Sequence, residues 1–148
     1  MRLRYYLMSF LVLALDRITK YLVMQHMVEG ESIPIAAPFL YLTYVRNSGA
    51  AFGLLKGRAQ LLAVAALLGV GLAAWQWKKI ISQSNRVKWG LSLAFAGALG
   101  NMIDRFAYGS VIDFFDVRIW PIFNVADIAI VCGVILLFWE VLINDQKE

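Results

Sequence analysis

The stretch Gly109-Ser110-Val111-Ile112-Asp113-Phe114-Phe115-Asp116, continuing to Phe123-Asn124-Val125-Ala126-Asp127, decides how the chain is read. Asp113 and Asp127 lie 14 positions apart. The first follows an apolar β-branched pair, and the second sits just inside an apolar run that reaches Trp139. An acid one turn into such a run is costly in hydrocarbon, so the pair reads as a functional site. The rest of the chain is read as what surrounds it.

Composition sets the medium. At 148 residues the chain is one domain, 61% hydrophobic and 16% charged, with a mean hydropathy of +0.67. Soluble proteins average roughly a quarter charged residues, so a membrane protein is expected. The net charge of +4 is scattered without a polybasic run, which argues against a nucleic-acid partner and fits basic residues that set topology. Cys132 is the only cysteine and excludes an internal disulfide; within an apolar run it reads as a packed, inert thiol. His26 is also alone, and no clustered ligand spacing suggests a metal or other cofactor.

Hydropathy predicts an all-α membrane protein with four transmembrane helices, at about 5–24, 59–77, 89–105 and 124–143. Asp16-Arg17 stands where a signal-peptide cleavage site would lie, so the first span is read as uncleaved. Asp16 and Lys20, four apart on one face, read either as a neutralising pair between helices or as part of the site. Pro34, Pro38 and the strand formers Phe39 to Val45 give an outer-surface β segment over about 33–58, with Arg46 to Gly53 as a hairpin corner. Trp75 and Trp77 mark a membrane interface beside Lys78-Lys79. Gly97 and Gly100 allow close helix packing, and Asn101, Asp104 and Arg105 share a face at the end of the third span. Asp116 and Arg118 read as solvated loop residues. Basic density in the link 78–88 places both termini in the cytoplasm, and 25–58 and 106–122 outside. Asp104, Asp113 and Asp127 then converge on the outer side, with Asp16 near mid-bilayer.

Five motifs carry a resemblance. Asp16-Arg17-Ile18-Thr19-Lys20, Asn47 to Gly53, Gly97 to Arg105, Val111-Ile112-Asp113-Phe114 and Phe123 to Asp127 occur in the order found in bacterial lipoprotein signal peptidases, the signal peptidase II family. The resemblance implies an aspartic endopeptidase of the bacterial inner membrane. It would remove the signal peptide from prolipoproteins, cutting before the cysteine that carries diacylglycerol. It implies Asp113 and Asp127 as catalytic residues, with Asn47, Asn101, Asp104, Arg105 and Asn124 lining or bracing the site and Asp16 in support. It also implies a small sheet on the outer membrane surface. The expected partners are lipid-modified prolipoproteins and membrane lipids, with the enzyme a monomer and no cofactor.

The chemistry agrees with the residues. Two close carboxylates cannot both ionise easily, so they share a proton, and one can activate water while the other polarises a carbonyl. Serine or cysteine catalysis lacks a suitably placed His. A proton-coupled transporter would spread its acids through the full membrane depth, whereas here they gather to one side. An assembly or anchor protein accounts for the glycines but leaves two intramembrane acids without a purpose. Asn124 and Asp127 alone also fit a helix-capping box, a role compatible with catalysis.

Overall fold

The structure, a computed structural model, describes residues 3–49, 72 and 84–145. Their elements run in the order α1 (Leu3–His26), β1 (Ser32–Ala36), β2 (Leu40–Asn47), α2 (Asn85–Tyr108), β3 (Val111–Asp116) and α3 (Val125–Asp145). The expected span 59–77 with Trp75 and Trp77, the corner residues 50–53, and Lys78-Lys79 lie outside the described residues. Arg86 and Lys88, assigned above to a link, belong to α2.

Among the described residues no helix is long and apolar enough to cross a membrane. In α1 this follows from Asp16, Arg17 and Lys20, of which Asp16 and Lys20 are fully buried. The outer face of the same helix is an apolar stripe: Leu3, Leu7, Leu11, Leu15, Ile18 and Leu22 are all exposed. A water-facing helix has the opposite pattern. Cys132, expected to be packed, is exposed on α3. Neighbouring Val131 and Ile135 are exposed too, so the thiol belongs to this outward surface.

α2 and α3 meet backbone to backbone. A Cβ at Gly90 would lie 2.8 Å from the Gly133 carbonyl oxygen, and one at Gly133 would lie 2.6 Å from that of Gly90. At Gly97 it would overlap the carbonyl oxygen of Ala126. This is the use of small residues that the sequence suggested. α2 begins with the Ser84 hydroxyl accepting from Val87 N and ends at Gly109, whose left-handed φ of 70° lets its N–H return to the Arg105 carbonyl. Only Gly109 and Ser110 separate the helix from β3.

β3 corrects the reading of the sheet. Residues 106–122 are placed outside by the sequence with no strand assigned, and the corner is set at Arg46 to Gly53; instead β1 turns at 37–39, β2 continues to Asn47 and Val111–Asp116 forms a strand. The sheet is antiparallel in the order β1-β2-β3. The pattern Val111 to Asp116 is short for a strand judged alone, and it is stabilised by a partner distant in sequence. Its apolar side, Ile112 and Phe114, packs with Tyr44 and with Val23 from the end of α1. Asp116, read as solvated, is buried at the strand end. It accepts from the Thr43 hydroxyl at 2.8 Å and from Arg118 N at 2.8 Å.

One irregularity aims the sheet at the site. Leu42 pairs with Phe115 and Val45 with Asp113, so β2 holds one extra residue between them. Such a bulge switches the face on which all later side chains lie. Val45 and Asn47 therefore share the face of Asp113, which an unbroken register would have given to Tyr44 and Arg46.

We expect Gly97→Ala to destabilise the protein by about 1–3 kcal/mol, the usual scale of overpacking, because the obstructing atom is backbone and cannot swing aside. Thermal unfolding in detergent micelles measures this. An unchanged midpoint would mean that the helices have room to part.

Candidate active site

The start of α3 is held by its own side chains, by one from α1 and by the backbone of β3. The first N–H groups of a helix have no partner within it. Here Asp127 N donates to Asn124 Oδ1 at 2.9 Å, and Asn124 N donates back to Asp127 Oδ2 at 3.1 Å. That is a reciprocal capping box. Ala126 N donates to Asp16 Oδ1 from α1 at 3.1 Å. The loop before the helix is held against β3, where Phe123 N donates to the Phe115 carbonyl and Phe115 N to that of Phe123.

The same Asn124 reaches Asp113. With its amide oxygen committed to the cap, its Nδ2 points away from the helix, to Asp113 Oδ1 at 2.7 Å and Asn101 Oδ1 at 3.0 Å. Asp113 Oδ2 accepts from Asn47 Nδ2 at 2.9 Å, and Asp127 Oδ1 from Asn101 Nδ2 at 2.8 Å. One asparagine thus joins the two acids, and each acid has a second amide donor.

Behind them lies a buried ion cluster. Lys20 Nζ contacts Asp16 Oδ2 at 3.0 Å and Asp104 Oδ2 at 2.7 Å. Arg17 contacts the same two acids at 3.0 and 2.6 Å. Asp104 also accepts from Ile112 N at 3.2 Å. A Cβ at Gly100 would lie 2.6 Å from Asp16 Oδ2, so only a glycine there admits that carboxylate.

The acids open on a cleft of about 600 Å³. Asn47, Asn101, Arg105, Asp113 and Asp127 line its polar side; Val45, Ile122, Phe123, Ile130 and Val131 line an apolar side. Burial pushes the Asp113 carboxyl up to about 7; the Asn47 and Asn124 donors oppose this, and the neighbouring charge of Asp127 adds to it. Arg105 donates to the Asn101 carbonyl at 3.3 Å and faces both acids.

The residues named from sequence therefore divide in two. Asn47, Asn101, Arg105, Asp113 and Asp127 meet at the cleft, while Asp16, Asp104 and Asn124 are fully buried and brace it from behind. Asp104 does not share the cleft-facing side of α2 with Asn101 and Arg105. Its contacts are to α1 and β3. For Asp16 and Lys20 the pairing alternative matches the geometry. Sequence reasoning missed Arg17 as a member of that cluster, and missed the wall from Trp120 to Phe123. The signal for Arg17 was a charged group, Asp16, Arg17 and Lys20, in an otherwise apolar helix; the wall residues carry none.

Comparison with known proteins agrees with the whole-chain character of these features. The family model for signal peptidase (SPase) II matches residues 8–143. A lipoprotein signal peptidase of Moorella thermoacetica is 42% identical over 142 residues, covering 96% of this chain and 95% of that protein. One from Syntrophomonas wolfei is 47% identical over 139 residues, covering 93% and 92%. A bacterial membrane enzyme solved in meso at 2.3 Å superposes with a TM-score of 0.93 at 34% identity, covering 98% of this chain and 91% of the other. Family model, relatives and fold coincide over nearly the whole length, and the chain belongs to the signal peptidase II family.

Proposed function

We propose that this protein is a membrane-embedded aspartic endopeptidase. It removes signal peptides from diacylglyceryl-modified prolipoproteins by cutting before the lipidated cysteine, with Asp113 and Asp127 as the catalytic pair. The observation that carries this reading is the joining of a buried acid, Asp113, and a half-buried one, Asp127, through Asn124 at the polar side of a half-apolar cleft.

The pair works with one proton. Its ionised member takes a proton from water as the oxygen attacks the scissile carbonyl carbon, and its protonated member hydrogen-bonds the carbonyl oxygen. Asn101 and Asn47 hold the carboxylates in place. Arg105 supplies a fixed positive charge beside the developing oxyanion. The apolar side of the cleft accepts the signal peptide's hydrophobic flank, and the polar side meets the backbone groups freed where its helix ends.

The outward apolar stripe of α1 and the exposed Val131, Val134, Ile135 and Phe138 of α3 support an integral membrane domain spanning residues 1–148. The inward charges of α1 are neutralised by one another and by Asp104 of α2, so they do not oppose burial in a bilayer. Including the segment 59–77, the reading is four spans with both termini cytoplasmic, the sheet resting on the outer surface and the cleft at the outer side. We take the enzyme to act as a monomer without a cofactor.

Mass spectrometry of the products from purified protein and a lipid-modified prolipoprotein tests the activity; cleavage anywhere but before the lipidated cysteine would overturn it. Asp113→Asn and Asp127→Asn should each lose cleavage by about 10²-fold or more while remaining folded, and the double variant should be scarcely worse. Asn keeps the helix start at 127, so a capping role alone predicts near-normal cleavage in Asp127→Asn. The pair loses its remaining proton as pH rises through about 7, the region to which Asp113 is raised. kcat/KM should therefore fall on the alkaline side of that value; a profile flat from pH 6 to 9 would contradict a shared proton. For topology, single cysteines in a Cys132→Ser background are labelled with an impermeant reagent in intact cells. Labelling of position 83 from outside would reverse the orientation.

A further inference from the structure

Lys20 is buried and lines no part of the cleft. Its ammonium has three protons, and the structure gives it three acceptors: Asp16 Oδ2, Asp104 Oδ2 and, at 2.9 Å, Asn101 Oδ1. Asn101 Oδ1 accepts from Asn124 Nδ2 as well. With its oxygen held by two donors, Asn101 has only its amide N–H groups to offer Asp127 Oδ1. A chain of donors of one polarity thus runs from an ammonium through one amide to Asp127. The other oxygen of Asp127 accepts Asn124 N at the start of α3, where the helix end favours an anion. The charge of Lys20 also favours an ionised Asp113, but Asp113 lies at no helix start. It stands on a strand, where it accepts from the neutral amides of Asn47 and Asn124.

We infer that Lys20 is a positioning residue that, acting through Asn101, makes Asp127 the ionised base of the pair and leaves the shared proton on Asp113. This rests on the reading of the two acids as the catalytic pair and assigns the roles within it. Asp127 takes a proton from water while the water oxygen bonds to the scissile carbon and Asp113 gives its proton to the carbonyl oxygen. The resulting gem-diol collapses as the C–N bond breaks. The departing nitrogen takes the proton from Asp127, and a gem-diol hydroxyl returns one to Asp113. One water is consumed and both acids regain their starting states.

Among the described residues, the charges facing Asp127 are Lys20 and Asp16 from α1, Arg105 from α2 and Asp113 from β3. Arg105 and Lys20 each act by charge on both acids; Lys20 in addition reaches Asp127 through the amide of Asn101. Removing Lys20 should therefore act mainly on protonation of the base.

The test is the pH dependence of kcat/KM for Lys20→Met and for Lys20→Met/Asp16→Asn, the second keeping the ion cluster balanced. We expect the acid limb to move up by about one pH unit, with a smaller change on the alkaline limb. A folded variant with the parent's profile would reduce Lys20 to packing and overturn the proposal. Should neither variant fold, ¹³C-carboxyl aspartate spectra of the parent enzyme decide, with lines assigned by Asp113→Asn and Asp127→Asn. Between the two titration steps Asp127 should resonate as carboxylate and Asp113 as carboxylic acid; the reverse order overturns the assignment. Parent-like cleavage by a folded Asp113→Asn or Asp127→Asn would instead remove the catalytic pair itself.

Discussion

Much of the structure depends on a single constraint: Lys20, Asp16 and Asp104 are charged groups with almost no access to water, so each must find its partners within the protein. Satisfying them ties together α1, α2, β3 and α3. Lys20 and Asp16 come from α1, Asp104 from α2, and the acids spend their remaining capacity on backbone N–H groups of β3 and α3. Such a cluster is weak evidence of net stability, because desolvation offsets much of the attraction. It does restrict geometry. A small rotation of α1 would leave an acid unpartnered and release the first turn of α3 at once.

The acids at the cleft inherit their placement from this frame by short paths. Asp113 follows directly from the Ile112 N–H held by Asp104, and Asp127 follows from the Ala126 N–H held by Asp16. The bulge in β2 completes the arrangement by turning Asn47 to the right face. Structural and chemical roles overlap here. Asn124 caps a helix with one end of its amide and orients a carboxylate with the other.

The sequence was informative where polarity conflicted with its surroundings. Asp127 in an apolar run, Asp16 and Lys20 one turn apart, and Gly97 and Gly100 among alanines each marked a place where ordinary patterning fails for a reason. Helix existence was legible for the same cause: α1 and α2 run two to four residues past both expected ends, α2 between the caps Ser84 and Gly109, while α3 starts one residue late and ends two residues beyond. β3 was not legible. Six residues carry little periodicity, and their pairing with β2 depends on partners 64 to 75 positions away. Asp116 was misread for the same reason, since Thr43 is its neighbour only in three dimensions. Cys132 was misread because an apolar neighbourhood in sequence does not say which way a helix face points.

The close approach of α2 and α3 bears on how a substrate can enter. Where two backbones touch, at Gly90 with Gly133 and at Gly97 with Ala126, no side chain lies between them to change rotamer and absorb a displacement. That seam is the least compliant boundary of the site. Asn101, Arg105 and Asp127 hang from its two sides and so behave as parts of one rigid jaw. A substrate must be admitted by movement elsewhere along the cleft, against a wall that holds Asn101, Arg105 and Asp127 at fixed spacing throughout.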